Sequence, residues 1–160
     1  MAQEIERKFL LSDASWRPNA AGERYIQAYL CESENLVARV RLTENGALLT
    51  LKSNIAGMRR SEFEYAIPYE DGQQLVELCM GSAIIKTRYK LPFAGKTWEI
   101  DVFDGDNSGL VIVEIELADE TETIATPDWL GKEVTDDPKF YNKNLSLYPY
   151  ASWTEEEKSA

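Results

Sequence analysis

The chain carries like-charged residues spaced two positions apart. The acidic pairs are Glu4 with Glu6, Glu62 with Glu64, Glu99 with Asp101 and Glu114 with Glu116, and the basic sets are Lys8, Arg39 with Arg41, Lys52, and Lys86 with Arg88. Paired carboxylates are ligands for hard divalent cations, and guanidinium and ammonium groups bind phosphate oxygens through charge-assisted hydrogen bonds. Phosphoryl transfer depends more on positioning and electrostatics than on a protein nucleophile. The residue types therefore indicate a site for a metal and a phosphate compound.

Histidine is absent from the chain, which excludes several kinds of site. A Ser-His-Asp or Cys-His nucleophile system cannot be built without it. Zinc is held mostly by His and Cys, and Cys31 and Cys79 are far apart in the sequence with no partners at metal-site spacing. A bound metal must therefore be held by carboxylates, which favours magnesium, manganese or calcium.

The charged positions lie in segments where polar and apolar residues alternate, a pattern typical of β-strands. The segments predicted as strands are 4–11, 25–30, 36–43, 47–53, 59–67, 83–91, 96–103 and 109–117. Helices are predicted over 70–80 and 138–147, the second with Asp137 as its cap, and a short helix or turn over 127–130. Because the 160 residues show no linker or internal repeat, we expect one domain over 1–150 and a polar tail over 151–160.

Side chains two positions apart lie on one face of a strand. Like charges at neighbouring positions repel, so stability alone does not favour them. One such pair would be an ordinary solvated face, but about seven strands carry the pattern together. About eight strands can close into a barrel with room for a small ligand. We therefore predict a mainly β fold, an eight-stranded antiparallel closed barrel with a charged interior, an apolar outer face and a few helices packed outside.

The net charge of −11 and a sequence pI of about 4.5 bear on possible partners. The acids and bases of the predicted interior nearly balance, so most of the negative charge lies on the remaining surface, which would repel nucleic acid. No stretch is long enough to span a bilayer, and the first residues lack a signal-peptide pattern. We expect no nucleic-acid or membrane partner, a cytoplasmic location, and a monomer or homodimer.

The ordered motifs resemble a known family. Glu4-Ile5-Glu6-Arg7-Lys8 is similar to the Glu-x-Glu-x-Lys signature of the CYTH superfamily, the triphosphate tunnel metalloenzymes. Further similarity follows in the family's order at Arg39-Val40-Arg41, Lys52, Glu62-Phe63-Glu64, Lys86-Thr87-Arg88, Glu114-Ile115-Glu116, 131–135 and 139–142. The resemblance runs from residue 3 to about residue 148, and the length matches the short bacterial members.

The resemblance implies an eight-stranded tunnel, open at both ends in many members, and a triphosphatase that depends on Mg²⁺ or Mn²⁺. Its metal ligands would be Glu4, Glu6, Glu114 and Glu116. Its phosphate-binding residues would be Lys8, Arg39, Arg41, Lys52, Lys86, Arg88 and, from a lid helix, Lys139. Its catalytic group would be Glu62, Glu64 and Asp101 with Lys86, where the acids orient basic residues or help to place a second metal and the attacking water.

Hydrolysis of inorganic tripolyphosphate to pyrophosphate and phosphate is the leading hypothesis. The resemblance also allows a class IV adenylate cyclase, which needs a pocket for adenine and ribose, or hydrolysis of thiamine or nucleoside triphosphates. A module that binds polyphosphate without turnover is a further alternative. It is disfavoured because anion binding alone needs no cluster of glutamates.

Overall fold

A computed structural model describes residues 3–17, 21–53 and 58–159. The strands in these ranges are β1 (Gln3–Leu11), β2 (Glu23–Glu32), β3 (Leu36–Thr43), β4 (Gly46–Ser53), β5 (Arg59–Ile67), β6 (Ile84–Phe93), β7 (Lys96–Phe103), β8 (Val111–Glu116) and β9 (Leu130–Glu133). The helices are α1 (Tyr69–Glu77), α2 (Asn142–Leu147) and α3 (Glu155–Lys158), with 3-10 turns at Gly105–Asn107, Pro138–Phe140 and Tyr150–Ser152. None of these helices is long and apolar enough to cross a membrane.

The strands form one antiparallel sheet that closes on itself. Their order is β5-β4-β3-β2-β6-β7-β8-β1-β9, and β5 also pairs with β1. This closing seam is short, because only Gln3–Ile5 pairs with 59–61. Further along β1, the same edge is taken by β9, with Phe9 opposite Glu133. The predicted eight-stranded closed barrel is therefore confirmed, with β9 as one strand more than predicted.

A large apolar cluster lies on the outer face of the barrel, as the strand pattern predicts. Its buried members are Ile5, Phe9, Trp16, Trp98, Ile100, Val113, Ile115, Leu117 and Trp129. The rings of Phe9 and Trp129 both pack edge-on against Trp98, with centroids 5.8 Å apart in each pair. These ring contacts join β1, β7 and the turn that precedes β9. The outer cover is incomplete at β5, where Phe63 and Tyr65 are 43% and 56% exposed.

A second cluster fills part of the barrel interior, which the sequence did not predict. Ile84, Phe103 and Ile112 share the inward face with the charged residues two positions away from them. The C-terminal segment packs its own apolar side chains against them, namely Val134, Phe140, Leu145 and Trp153. One end of the interior is therefore apolar and covered by this segment.

The C-terminal segment departs from the predicted elements. The helix predicted over 138–147 is a 3-10 turn followed by α2, because Tyr141 between them has an extended backbone (φ −74°, ψ 135°). Asp137 caps the turn as predicted, and its side chain accepts a hydrogen bond from the backbone N–H of Lys139. Residues 128–129 form a predicted turn, but the chain then enters β9. In the predicted polar tail, Trp153 is buried.

Candidate active site

The interior of the barrel encloses a charged cavity of about 820 Å³. Its acidic lining residues are Glu4, Glu6, Glu62, Glu64, Glu99, Glu114 and Glu116, and its basic ones are Lys8, Arg39, Arg41, Lys52, Arg60, Lys86, Arg88 and Lys143. Of the sequence-predicted site residues, the structure brings all but Asp101 and Lys139 to the lining. Charged residues separated by more than a hundred positions thus face one space.

The strand register explains this convergence. Lys8 on β1 lies opposite Glu114 on β8, which in turn lies opposite Glu99 on β7. On the other side, Thr50 lies between Arg39 and Glu64 in neighbouring strands. Because directly opposed residues point to the same face, each row presents its polar groups to the cavity.

Asp101 lies on the inward face of β7, is completely buried and does not line the cavity. Its carboxylate accepts hydrogen bonds from Nε and Nη2 of Arg88 at 2.7 and 2.8 Å, and Lys86 Nζ lies 2.7 Å away. Burial alone would raise the pKa of Asp101, but the charges of Arg88 and Lys86 lower it. These contacts fit the role of orienting basic residues. Placing a metal or a water in the cavity would require a lining position, which Asp101 does not have.

Lys86 is the most deeply buried cation of the cavity wall. Burial and the charge of Arg88 lower its pKa to about 7, although Asp101 opposes the shift. Its Nζ also lies 3.5 Å from Oδ1 of Asn142, on the C-terminal segment. Lys86 therefore changes its charge close to neutral pH.

Arg41 is held by neutral groups. Within the described residues, it has no carboxylate within ion-pair distance. Its Nε donates to Oε1 of Gln27 at 2.7 Å, and its guanidinium lies 4.8 Å from the ring centroid of Tyr25. Burial and the charges of Arg39 and Arg88 lower the pKa of Arg41 to about 10, so it is protonated at neutral pH. Its positive charge is available to an anionic ligand.

The four glutamates predicted as metal ligands lie at the junction of β1 and β8. Lys8 Nζ is 2.8 Å from Glu114 and 3.6 Å from Glu6, and Lys52 Nζ is 3.1 Å from Glu4. The described residues contain no group of three or more metal-ligating side chains already gathered around one point.

The electrostatics of these glutamates nevertheless suit a divalent cation. Burial and neighbouring carboxyl groups raise the pKa of Glu4, Glu6 and Glu116. Burial also acts to raise the pKa of Glu114, but Lys8 and Arg88 hold it well below its usual range. Burial is the larger cause of the raised values and neighbouring carboxyl groups add to it, so a cation beside these groups would stabilise their ionised forms. Carboxylate oxygens are also the donors that Mg²⁺ and Mn²⁺ prefer. The residues present therefore fit such an ion.

Lys139 does not reach the cavity. Its Nζ lies 3.7 Å from Asp137 and above the rings of Phe140 and Trp153. The same segment instead brings Asn142 and Lys143 to the lining. The extended residue Tyr141 interrupts the predicted helix and thereby changes which side of the segment faces the cavity.

Arg60 is a lining residue that the sequence analysis missed. It lies two positions before Glu62 on β5, so the spacing that selected Glu62 and Glu64 also selects Arg60. Its charge is opposite in sign to that of Glu62 and Glu64, so it does not belong to a like-charged pair.

Comparisons with known proteins agree with this architecture. The model of the CYTH domain family matches residues 2–144. An inorganic triphosphatase of Acetivibrio thermocellus is 43% identical over 156 residues, which cover 97% of this chain and all of that protein. One of Nitrosomonas europaea is 37% identical, covering 90% of this chain and 97% of that protein. A solved crystal structure of an inorganic triphosphatase has a TM-score of 0.66 at 33% identity, covering 92% of this chain and 96% of its own.

Proposed function

The chain belongs to the CYTH domain family, and from this we propose that it hydrolyses inorganic tripolyphosphate to pyrophosphate and phosphate with a divalent metal ion. The observation that carries the proposal is the cavity, in which buried cations and glutamates from β1 to β8 face one another. The similarity to inorganic triphosphatases over nearly the whole chain selects this chemistry among the uses of an anion-binding cavity.

The basic residues bind the substrate. Arg39 presents a planar guanidinium group, which pairs with phosphate oxygens in a bidentate manner. Arg88 adds positive charge to the wall while its Nε and Nη2 are held by Asp101. Lys8 and Lys52 supply point charges beside the glutamates. Because most of these side chains are buried, their interaction with a polyanion is screened less than it would be at the surface.

The acidic residues have two roles. Glu4, Glu6, Glu114 and Glu116 would hold Mg²⁺ or Mn²⁺, which neutralises charge that develops on the phosphate oxygens. Glu62 and Glu64 orient cations, since Glu62 lies 3.7 Å from Lys52 and Glu64 lies 3.9 Å from Arg39. Asp101 orients Lys86 and Arg88 through its ion pairs with them and does not itself line the cavity.

The reaction needs no covalent intermediate with the protein. A water oxygen attacks the terminal phosphorus, a new P–O bond forms, and the bond to the bridging oxygen breaks. Pyrophosphate leaves with the electron pair, a proton of the attacking water passes to a phosphate oxygen or to solvent, and the cations of the wall stabilise the charge that accumulates on the leaving group. The absence of histidine is compatible with this chemistry because positioning and electrostatics supply the catalysis.

The test is a substrate panel with the purified protein. We expect phosphate release from tripolyphosphate with Mg²⁺ or Mn²⁺, and none after metal removal with EDTA. ATP and thiamine triphosphate are assayed in parallel, and cyclic AMP is measured separately from free phosphate. Absence of turnover of every triphosphate with either metal would refute hydrolysis, whereas cyclic AMP as the main product of ATP would favour the cyclase.

Glu4→Gln and Arg39→Ala separate the proposed roles of the two kinds of side chain. Glu4→Gln should raise the metal concentration needed for half-maximal activity. Arg39→Ala should mainly raise the KM for tripolyphosphate. Equal and negligible effects would contradict both assignments.

A further inference from the structure

The cations of the cavity differ in how their charge is balanced. Lys8, Lys52, Lys86 and Arg88 each have a carboxylate within 3.1 Å, and Arg39 has one at 3.9 Å. Lys143 pairs with Glu32 at 2.6 Å. Among the lining cations in the described ranges, Arg41 and Arg60 have no carboxylate within ion-pair distance, and no Asp or Glu of the sequence falls outside those ranges.

Arg60 is held by an aromatic ring instead of an acid. Its guanidinium lies 4.7 Å from the ring centroid of Tyr141, which precedes α2. Its Nε is buried and has no hydrogen-bond acceptor within the described part of the chain. A ring face offsets part of the free-energy cost of removing a guanidinium group from water. It does not accept hydrogen bonds from the N–H groups in the plane of the guanidinium. The Nε–H of Arg60 therefore has donor capacity that the described residues leave unused.

The ring of Tyr141, which supports Arg60, is linked by hydrogen bonds to β1. The hydroxyl of Tyr141 donates to the carbonyl oxygen of Thr135 at 2.9 Å. The side-chain oxygen of Thr135 in turn accepts a hydrogen bond from the backbone N–H of Lys8 at 3.0 Å. The ring under the guanidinium is thus linked through Thr135 to the backbone of β1 at Lys8.

The two cations also influence each other electrostatically. Burial and, to a smaller degree, the charge of Arg60 act to lower the pKa of Lys8, whereas Glu114 and Glu6 raise it overall. In β5, Arg60 lies opposite Glu4 at the seam with β1. Two nearby cations of which one lacks an acid form a site for an anion that bridges them.

We propose that Arg60 is a substrate-binding residue that donates hydrogen bonds to phosphate oxygens of a polyphosphate lying between it and Lys8. The identity of the anion rests on the proposed function. The proposal adds to that function a seventh cation from the barrel strands, held by the C-terminal segment rather than by a carboxylate. Since Tyr141 and Arg60 come from distant parts of the chain, the C-terminal segment contributes to substrate binding through Arg60 as well as by covering the barrel.

The experiment measures binding without turnover. Tripolyphosphate is titrated into the full chain by calorimetry in the presence of EDTA. Arg60→Gln removes the charge and keeps much of the volume. Arg59→Gln is the matched control, because Arg59 is the adjacent residue, exposed on the other face and paired with Glu120 at 3.3 Å. Arg60→Lys retains the charge without the planar fork.

We expect Arg60→Gln to weaken tripolyphosphate binding by about 10- to 100-fold, the range for losing a hydrogen bond to a charged group. Arg60→Lys should lose less, and Arg59→Gln should remain within about twofold of the unmodified chain. Unchanged affinity in Arg60→Gln, or an equal loss in Arg59→Gln, would overturn the role of Arg60. Melting curves identify any unfolded variant, and in that case Arg60→Lys decides between loss and no loss.

The outcomes for the unmodified chain separate this inference from the proposed function. If the chain neither binds nor hydrolyses tripolyphosphate, the proposed function is wrong. If it binds and hydrolyses tripolyphosphate but Arg60→Gln behaves as the unmodified chain does, only the role of Arg60 is wrong.

Discussion

Asp101→Asn tests whether a buried carboxylate holds two cations of the cavity wall in place. Asp101 is 0% exposed and contacts both Arg88 and Lys86 at 2.7 Å. Asn keeps the size of the side chain but leaves two buried cations with less compensation. Breaking a buried pair by removing one partner costs about 3–5 kcal/mol. The lower figure applies, since Glu99 and Glu114 remain 3.4 and 3.8 Å from Arg88.

That cost converts into a measurable shift of Tm. For a chain of this length, each kcal/mol corresponds to about 2–4 °C, so Asp101→Asn should lower Tm by about 6–12 °C at pH 6. The loss should be smaller at pH 9, because the pKa of Lys86 is already lowered to about 7 and a neutral lysine needs no counter-charge. Tripolyphosphate in EDTA should restore part of the Tm by supplying the missing negative charge.

Glu99→Gln is the control for this prediction. Its side chain is 31% exposed and contacts Arg88 at 3.4 Å, so its loss should cost less than about 1 kcal/mol. Circular dichroism melting curves of both variants, with and without tripolyphosphate, provide the comparison. Equal shifts for Asp101→Asn and Glu99→Gln, or no recovery with the anion, would refute the argument that Asp101 balances the charge of the cavity wall.

Three further predictions concern other parts of the wall and the fold. Gln27→Glu places a carboxylate against Arg41, whose Nε now donates to a neutral oxygen at 2.7 Å. Because the new carboxylate would compensate the charge of Arg41, the KM for tripolyphosphate should rise about 10-fold. An unchanged KM would contradict this. Burial lowers the pKa of Lys86 to about 7, so its positive charge is lost as pH rises. The affinity for tripolyphosphate without metal, measured by calorimetry, should therefore fall between pH 6 and 9. An affinity that does not change with pH would contradict this role of Lys86. In Gly131→Ala, the added Cβ would lie 2.7 Å from the backbone carbonyl carbon of Leu11. The Tm should therefore fall by an amount equivalent to about 1–3 kcal/mol. A Tm equal to that of the unmodified chain would show that β9 moves to accommodate the methyl group.

The barrel strands were predictable because their period is two and their polar residues are charged. Each predicted strand overlaps an observed one, and most boundaries differ by two residues or fewer. Charged residues at alternate positions identify a face, and closure follows from the need to bring opposite charges together. The sequence therefore contained enough information to predict which strands form the wall and which face lines the cavity.

The C-terminal third was less predictable because tertiary contacts determine its structure. Phe140 and Trp153 pack edge-on at 5.3 Å inside the apolar end of the barrel. The four-residue strand β9 has no alternating pattern of its own and forms because β1 offers a free edge beyond its seam with β5. Lys139 was expected to face the substrate on a continuous helix, and the extended residue Tyr141 removes that helix.

Glu6 and Lys86 have shifted pKa values, and they should change the pH dependence of activity in opposite directions. Burial and neighbouring carboxyls raise the pKa of Glu6. If Glu6 binds the metal, protons should compete with the ion at a higher pH than for an ordinary glutamate, and metal binding should strengthen as pH rises. Burial lowers the pKa of Lys86 to about 7, so substrate binding through Lys86 should weaken as pH rises. The profile of kcat/KM, which reports the free enzyme, should therefore be bell-shaped.

Bound ligands should widen that profile. A polyanion beside Lys86 stabilises its ammonium form, and a cation beside Glu6 stabilises its carboxylate form, so each pKa moves back toward its ordinary value. Because kcat reports the enzyme–substrate complex, its profile should be broader than that of kcat/KM on both limbs. Coincident profiles would mean that neither Glu6 nor Lys86 contacts the bound metal and substrate, which would contradict the assignment of both residues to the site.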